Sequence, residues 1–210
     1  MDHPVSKIGD APKRREDIRF LTGQGAYLDD LTFDGLCHAV FLRSPHAHAR
    51  IISVDTSAAR KAAGVIAVLT IEDVKADGLS PLMMSAVENP KTGTPFKFLP
   101  QPLLADGVVR HVGEPVAMVI AETIELGLDA LELIDIVFTQ LDVVTTPDAA
   151  RAPGAPILSN NAPDNICLDE HYGDRNAVAS AMRSATHVVE LPVENPRIST
   201  NPMEPRGVIG

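Results

Sequence analysis

The sequence predicts an α+β fold, on three observations. Short apolar runs rich in β-branched residues recur between turn signals, and short hydroxyl-led helical stretches separate several of them. One longer stretch near the middle carries apolar residues at helical spacing. The elements follow in order. The opening, through residue 16, is polar and charged and is expected to lie extended over a surface. In "IRFLTGQGAYLDDL", Gly23 and Gly25 permit a tight turn. "LCHAVFLR" (36–43), held between Asp34-Gly35 and Ser44-Pro45, predicts a strand, and "ARIISVD" (49–55) alternates as a second.

Thr56 is placed to cap a short helix through about residue 61, which Gly64 ends, and "VIAVLT" begins a further strand. The Thr70 to Asp73 spacing is a capping box for a helix that Gly78 terminates. Residues 79–102 carry five prolines without a sustained period and predict a long surface loop or insertion. "VRHVGEPVAMVIAE" resumes order: Gly113-Glu114-Pro115 turns into a strand so evenly apolar that both faces should be buried. "TIELGLDALELIDI" predicts a helix from Thr123 to about Ile134, with Leu126, Ala130, Leu131 and Ile134 on one stripe. A strand in "IDIVFTQL" completes one α/β layer on a mixed sheet. Residues 146–165, rich in proline, alanine and asparagine, predict a linker along a partner surface. A short helix near 176–184 and a strand in "ATHVVELPVEN" cannot enclose a core alone, so residues 166–210 read as the start of a further domain.

Composition narrows the function classes. The chain has 210 residues and is 45% hydrophobic, enough to bury a core. A formal net charge of −10 gives no basic face for nucleic acid or an anionic membrane. No apolar run is long enough for a bilayer and the N-terminus has no secretory signal pattern, so a cytoplasmic location is expected. Cys37 and Cys167 stand far apart without a CxxC partner and read as buried apolar side chains or free thiols.

Candidate chemistry is sparse. His46 and His48 in "SPHAHAR" form an HxH pair that can supply two imidazole ligands, but no third ligand stands at a metal spacing and the position after Ser-Pro favours lining a loop. Glu114 in "HVGEPVA" is either a base beside a buried strand or, the favoured reading, an acceptor for the turn's backbone amides. Glu204, two residues before Arg206, reads as an ion pair or a buried structural carboxylate ahead of a catalytic group. Gly23-Gln24-Gly25 lacks the third glycine and following helix of a dinucleotide fingerprint. The residues alone therefore assign no catalytic or metal-binding residue and leave any cofactor-binding residues unknown.

Four segments in order, "KRREDIRFLTGQGAYLDDL", "FLRSPHAHARI", "ADGVVRHVGEPVAMVIAET" and "NPRISTNPMEPRGVIG", make the chain resemble the N-terminal part of the large, molybdenum-binding subunit of the xanthine dehydrogenase, aldehyde oxidase and aerobic carbon monoxide dehydrogenase family. The likeness runs from about residue 8 to residue 210. It implies an extended segment over 1–18, an α/β-hammerhead domain over 19–145, a linker over 146–165 and, over 166–210, the incomplete start of a molybdopterin-binding domain. "NPMEPRGVIG" then corresponds to that domain's first strands. Pro196 stands where the family often has glutamine, and "FTQLD" replaces a Tyr-Glu-Pro-Leu-like run; both leave the substrate open.

The resemblance implies an oxidoreductase that hydroxylates an aldehyde or N-heterocycle, or oxidises CO, with water as oxygen source. Its cofactor is a molybdopterin, as the cytosine dinucleotide or a related pterin, and its partners are the remainder of the subunit plus iron–sulfur and flavin subunits. The family's glycine-rich cofactor loop and catalytic glutamate lie beyond the last shared motif. The chain alone is therefore expected to be inactive and to bind no pterin. The competing expectation is a non-catalytic hammerhead module for binding or assembly, and a weaker one a small metal protein built on His46 and His48.

Overall fold

The computed structural model describes residues 8–9, 11, 14–82, 97, 99–169, 171–196, 198–202, 204 and 206–210. Most of the proline-rich stretch expected as a long loop, residues 83–96 and 98, lies outside them. Two compact units result, residues 37–188 and residues 1–36 with 189–210.

The larger unit is built on two three-stranded sheets. In the first, β5 (Pro115–Ala121) lies between β1 (His38–Arg43) and β3 (Val65–Leu69). In the second, β2 (Ala49–Asp55) lies between β4 (Val108–Val109) and β6 (Asp135–Gln140). All four pairings are antiparallel, which corrects the expectation of a mixed sheet. The physical reason lies in α3 (Ile124–Leu131), which carries the chain from β5 in one sheet to β6 in the other, so this helix closes no parallel crossover.

The near-continuous apolar run does become a central strand, with Val116, Ala117, Val119 and Ala121 buried, but Met118 and Ile120, on the face opposite Val119, are only half-buried, so the expected burial of both faces is met in part. Ala117, Val119 and Ala121 meet Val68 of β3, Ala59, and Ala130 and Ile134 from α3 and its end in the main core. A second cluster gathers Ala49, Ala105, Val109 and Val116. Thr123 starts α3 as its spacing predicts, its Oγ1 accepting from the Leu126 amide at 3.3 Å. The helix stops at Leu131, short of Ile134, yet Ile134 still enters the core from the turn that follows. Mid-helix Gly127 is explained by packing: a Cβ there stands 2.8 Å from Val40 Cγ2, so only glycine lets α3 approach β1 this closely.

The Thr70–Asp73 capping box opens α2 (Ile71–Ala76), with the Thr70 amide donating to Asp73 Oδ2 at 2.7 Å. Gly78 follows it at φ 70°. Residues 59–61 form a single 3-10 turn (Ala59–Lys61) where a short helix was expected, and the Thr56 hydroxyl accepts from the Arg60 Nε instead of capping amides. Three elements carried too little period to be read: α1 (Asp17–Leu21), a 3-10 turn (Leu28–Asp30) and α4 (Pro147–Arg151), which lies inside the stretch expected as a linker. α5 (Arg175–Ser184) forms where a helix was expected, with Asp174 Oδ1 accepting from the Ala177 amide at 2.8 Å. The strand expected in residues 185–195 does not form. Its residues are exposed, and with no neighbouring strand among the described residues its backbone groups are left to water. In the smaller unit, Glu204 Oε1 accepts from the Leu28 amide at 3.0 Å.

Candidate functional site

Two of the motifs singled out in the sequence, "SPHAHAR" and "HVGEP", meet at one end of the larger unit. Ser44 leaves β1 and is buried; its amide donates to the Glu114 carbonyl at 2.9 Å and its carbonyl accepts from the Gly113 amide at 2.8 Å. The Ser44 hydroxyl folds the next turn, donating to the His46 carbonyl and accepting from the His46 amide, each at 3.0 Å. Both histidines thus sit in and just after the loop between β1 and β2, as their place after Ser-Pro suggests.

They do not converge on a shared ligand. The His46 ring sets its edge against Phe138, centroids 4.9 Å apart, with Nδ1 3.4 Å from Gln140 Nε2. His48 is only 7% exposed and its Nδ1 lies 2.7 Å from the Asp142 carbonyl oxygen. Since that oxygen only accepts, Nδ1 carries the proton. Among the described residues, no group of three or more His, Cys, Asp or Glu side chains is placed to hold a metal ion.

Glu114 is 8% exposed, and its carboxylate accepts from the Arg110 backbone amide. It therefore takes a backbone amide of the adjoining turn. Arg110 reaches the other way: its Nε donates to the Leu158 carbonyl at 3.0 Å and its Nη1 to the Val108 carbonyl at 3.2 Å. This guanidinium clamps residues 156–160 against β4. Asn165 folds the same segment on itself. At φ 55°, its Nδ2 donates to the Ala150 and Pro156 carbonyls at 2.9 Å each while its Oδ1 accepts from the Leu158 amide at 3.0 Å. Lys97 adds an ion pair to Asp164 at 2.7 Å, and this hydrogen bond first of all holds the Asp164 carboxyl below the usual carboxylate range.

Between the strands and the clamped segment runs a groove of about 410 Å³, lined by His48, Arg50, Arg110, Asp142 and residues 156–160 among others. Arg50, Arg110 and Asp142 were not singled out in the sequence. Arg50 is hidden there as one polar position of an alternating strand, and Arg110 was visible only as part of "VVRHVGEP". Glu204 corrects an expectation: it is exposed and bonds the Leu28 amide, and no ion pair to Arg206 forms among the described residues. Cys37 is likewise exposed where burial was one of its two readings, and Cys167 is half-buried.

The aldehyde oxidase and xanthine dehydrogenase α/β hammerhead domain matches residues 22–142, which take in both sheets and α3. The chain belongs to the aldehyde oxidase and xanthine dehydrogenase family. Within that family it is 38% identical to the nicotine 6-hydroxylase large subunit of Paenarthrobacter nicotinovorans, over 98% of this chain and 24% of that one. Quinoline 2-oxidoreductase from Pseudomonas putida 86 is 41% identical, with a TM-score of 0.60 over 68% of this chain and 17% of that chain. A Cu,Mo-CO dehydrogenase superposes with a TM-score of 0.68 at 34% identity, over 85% of this chain and 23% of that chain. The chain thus spans 17–24% of the length of these relatives, and its two antiparallel sheets with α3 are the hammerhead fold. No helix among the described residues is long and apolar enough to cross a membrane.

Proposed function

We propose that this chain is the N-terminal, hammerhead-bearing part of the large subunit of a molybdenum hydroxylase whose substrate is an N-heterocycle, with water as the oxygen source. The observation that carries this reading is the 38% identity to a nicotine 6-hydroxylase large subunit along 98% of the chain. The 41% identity to quinoline 2-oxidoreductase supports the same substrate class, since nicotine and quinoline both carry a nitrogen heterocycle. On this reading residues 19–145 are the hammerhead, 146–165 a linker strapped to it by Arg110 and folded on itself by Asn165, and 166–210 the opening of the pterin-binding domain.

The cofactor is a molybdopterin, in its cytosine dinucleotide form, and it supplies the redox centre. The described residues here bring together no ligand set for its metal, so no step of the reaction is derived through them. The chain's part is architectural: it fixes the path by which the polypeptide leaves the hammerhead. The partners are the rest of the large subunit with iron–sulfur and flavin subunits, in the cytoplasm, and the isolated chain is inactive.

The test is turnover by the complete complex in water labelled with heavy oxygen, offered quinoline, nicotine, an aldehyde and CO in turn. Label entering the ring of a hydroxylated heterocycle is the expected result. Oxidation of CO or of the aldehyde without any heterocycle turnover would refute the substrate class.

A further inference from the structure

The groove beside His48 has a chemistry that the hydroxylase reading does not use, and it stands or falls independently of that reading. His48 is more than nine-tenths buried, and its Nδ1 proton is committed to the Asp142 carbonyl. In the neutral ring this leaves Nε2 as a bare acceptor, and among the described residues nothing bonds it. Arg50 lines the same groove from the middle strand of its sheet, opposite Val108 and Thr139, and its guanidinium has no hydrogen bond or ion pair among the described residues. Arg110 spends Nε and Nη1 on backbone carbonyls, which leaves the donors of Nη2. Asp142 also lines the groove, but its contact to His48 is through the backbone carbonyl.

A ligand matched to these groups must be an anion, to meet two guanidiniums on a chain of net charge −10, and must also donate a proton to an imidazole nitrogen. A carboxylate or sulfate only accepts and leaves Nε2 facing a lone pair. Inorganic phosphate keeps at least one hydroxyl at neutral pH and meets both demands. We propose that this groove is a binding site for inorganic hydrogen phosphate, held by Arg50 and Arg110 through its charged oxygens and by His48 Nε2 through its hydroxyl.

The test is a titration of the full chain at neutral pH with inorganic phosphate, followed through the His48 ring and Arg50 side-chain resonances. Parallel titrations use sulfate and phosphoserine, whose phosphate group loses its last proton near about pH 6. The expected result is a saturable shift with phosphate, and binding weaker by at least about tenfold for sulfate and phosphoserine. Arg50→Gln, at an exposed position, weakens phosphate binding by a similar factor. His48→Asn keeps a donor for the Asp142 carbonyl and removes the Nε2 acceptor, so it abolishes the preference for phosphate over sulfate. Absence of a saturable shift, equal binding of sulfate or phosphoserine, or unchanged binding by Arg50→Gln each overturns the proposal, and Arg50→Gln decides if His48→Asn fails to fold.

Discussion

Val119 and Val193 are the same residue in opposite circumstances. Val119 sits in the middle strand of its sheet with no accessible surface, packed in the main core. Val193 lies in an extended run where Val189, Leu191 and Val193 are 89%, 78% and 79% exposed. An apolar residue stabilises only where an opposing surface excludes water from it, so the hammerhead holds a finished core while Val189, Leu191 and Val193 leave their apolar surface to water. The difference teaches that composition alone does not distinguish the two regions; their partners do.

The largest effect that sharpens this contrast comes from placing a charge in each region. Val119→Asp buries an unpaired carboxylate and is expected to cost more than about 4 kcal/mol, leaving the chain unfolded in a urea melt. Val193→Asp is expected to stay within about 0.5 kcal/mol of the parent in the same melt. Equal melts would remove the contrast.

Next in size, Asn165→Ala strips three hydrogen bonds and puts a Cβ-bearing residue without a side-chain amide at positive φ, for about 2–3 kcal/mol. Hydrogen exchange reads it, with the Leu158 amide losing protection while the β5 amides keep theirs. Protection lost equally everywhere would mean that the clamped segment is part of the main core and not a strap upon it.

Gly127→Ala gains about 1 kcal/mol of helix propensity but drives a methyl into Val40, for a net loss of about 1 kcal/mol. A stabilised variant in thermal melts would show that α3 has room to lift from β1. The smallest effect is at α2, where Asp73→Ala removes the capping box for about 1 kcal/mol or less. The Thr70 amide, above all, holds the Asp73 carboxyl below its ordinary value of 3.8. The stability it contributes is therefore full above that value and is lost as pH falls through it to the lowered folded value. Acid titrations of parent and Asp73→Ala should converge at the low end, and a constant gap across that range would contradict the assignment.

How much of this was legible follows from what each signal depends on. The strands β1, β2, β3, β5 and β6 were readable because their apolar residues lie between turn residues such as Asp34-Gly35 and Gly113, a local property. β4 is two residues long and carries no period. Strand direction was misread because it depends on which strands pair, and β5 pairs with β1 and β3 from far along the chain. The apolar residues of 188–193 carried a strand pattern that no neighbour among the described residues completes. At this end of the larger unit, His46, His48 and Glu114 drew notice by residue type, but the meeting of their motifs rests on backbone bonds between Ser44 and residues 113–114, nearly seventy positions apart. Asn165 was lost in a proline- and asparagine-rich stretch, because its role shows only once its side chain finds Ala150, Pro156 and Leu158.

On the proposed reading this hammerhead serves as part of a molybdenum enzyme's large subunit. Native mass spectrometry with molybdenum analysis, on the protein purified from its own cells, tests it most directly. The expected result is the chain's sequence inside an assembly much heavier than these 210 residues, with molybdenum bound. A metal-free species of this chain alone would contradict it.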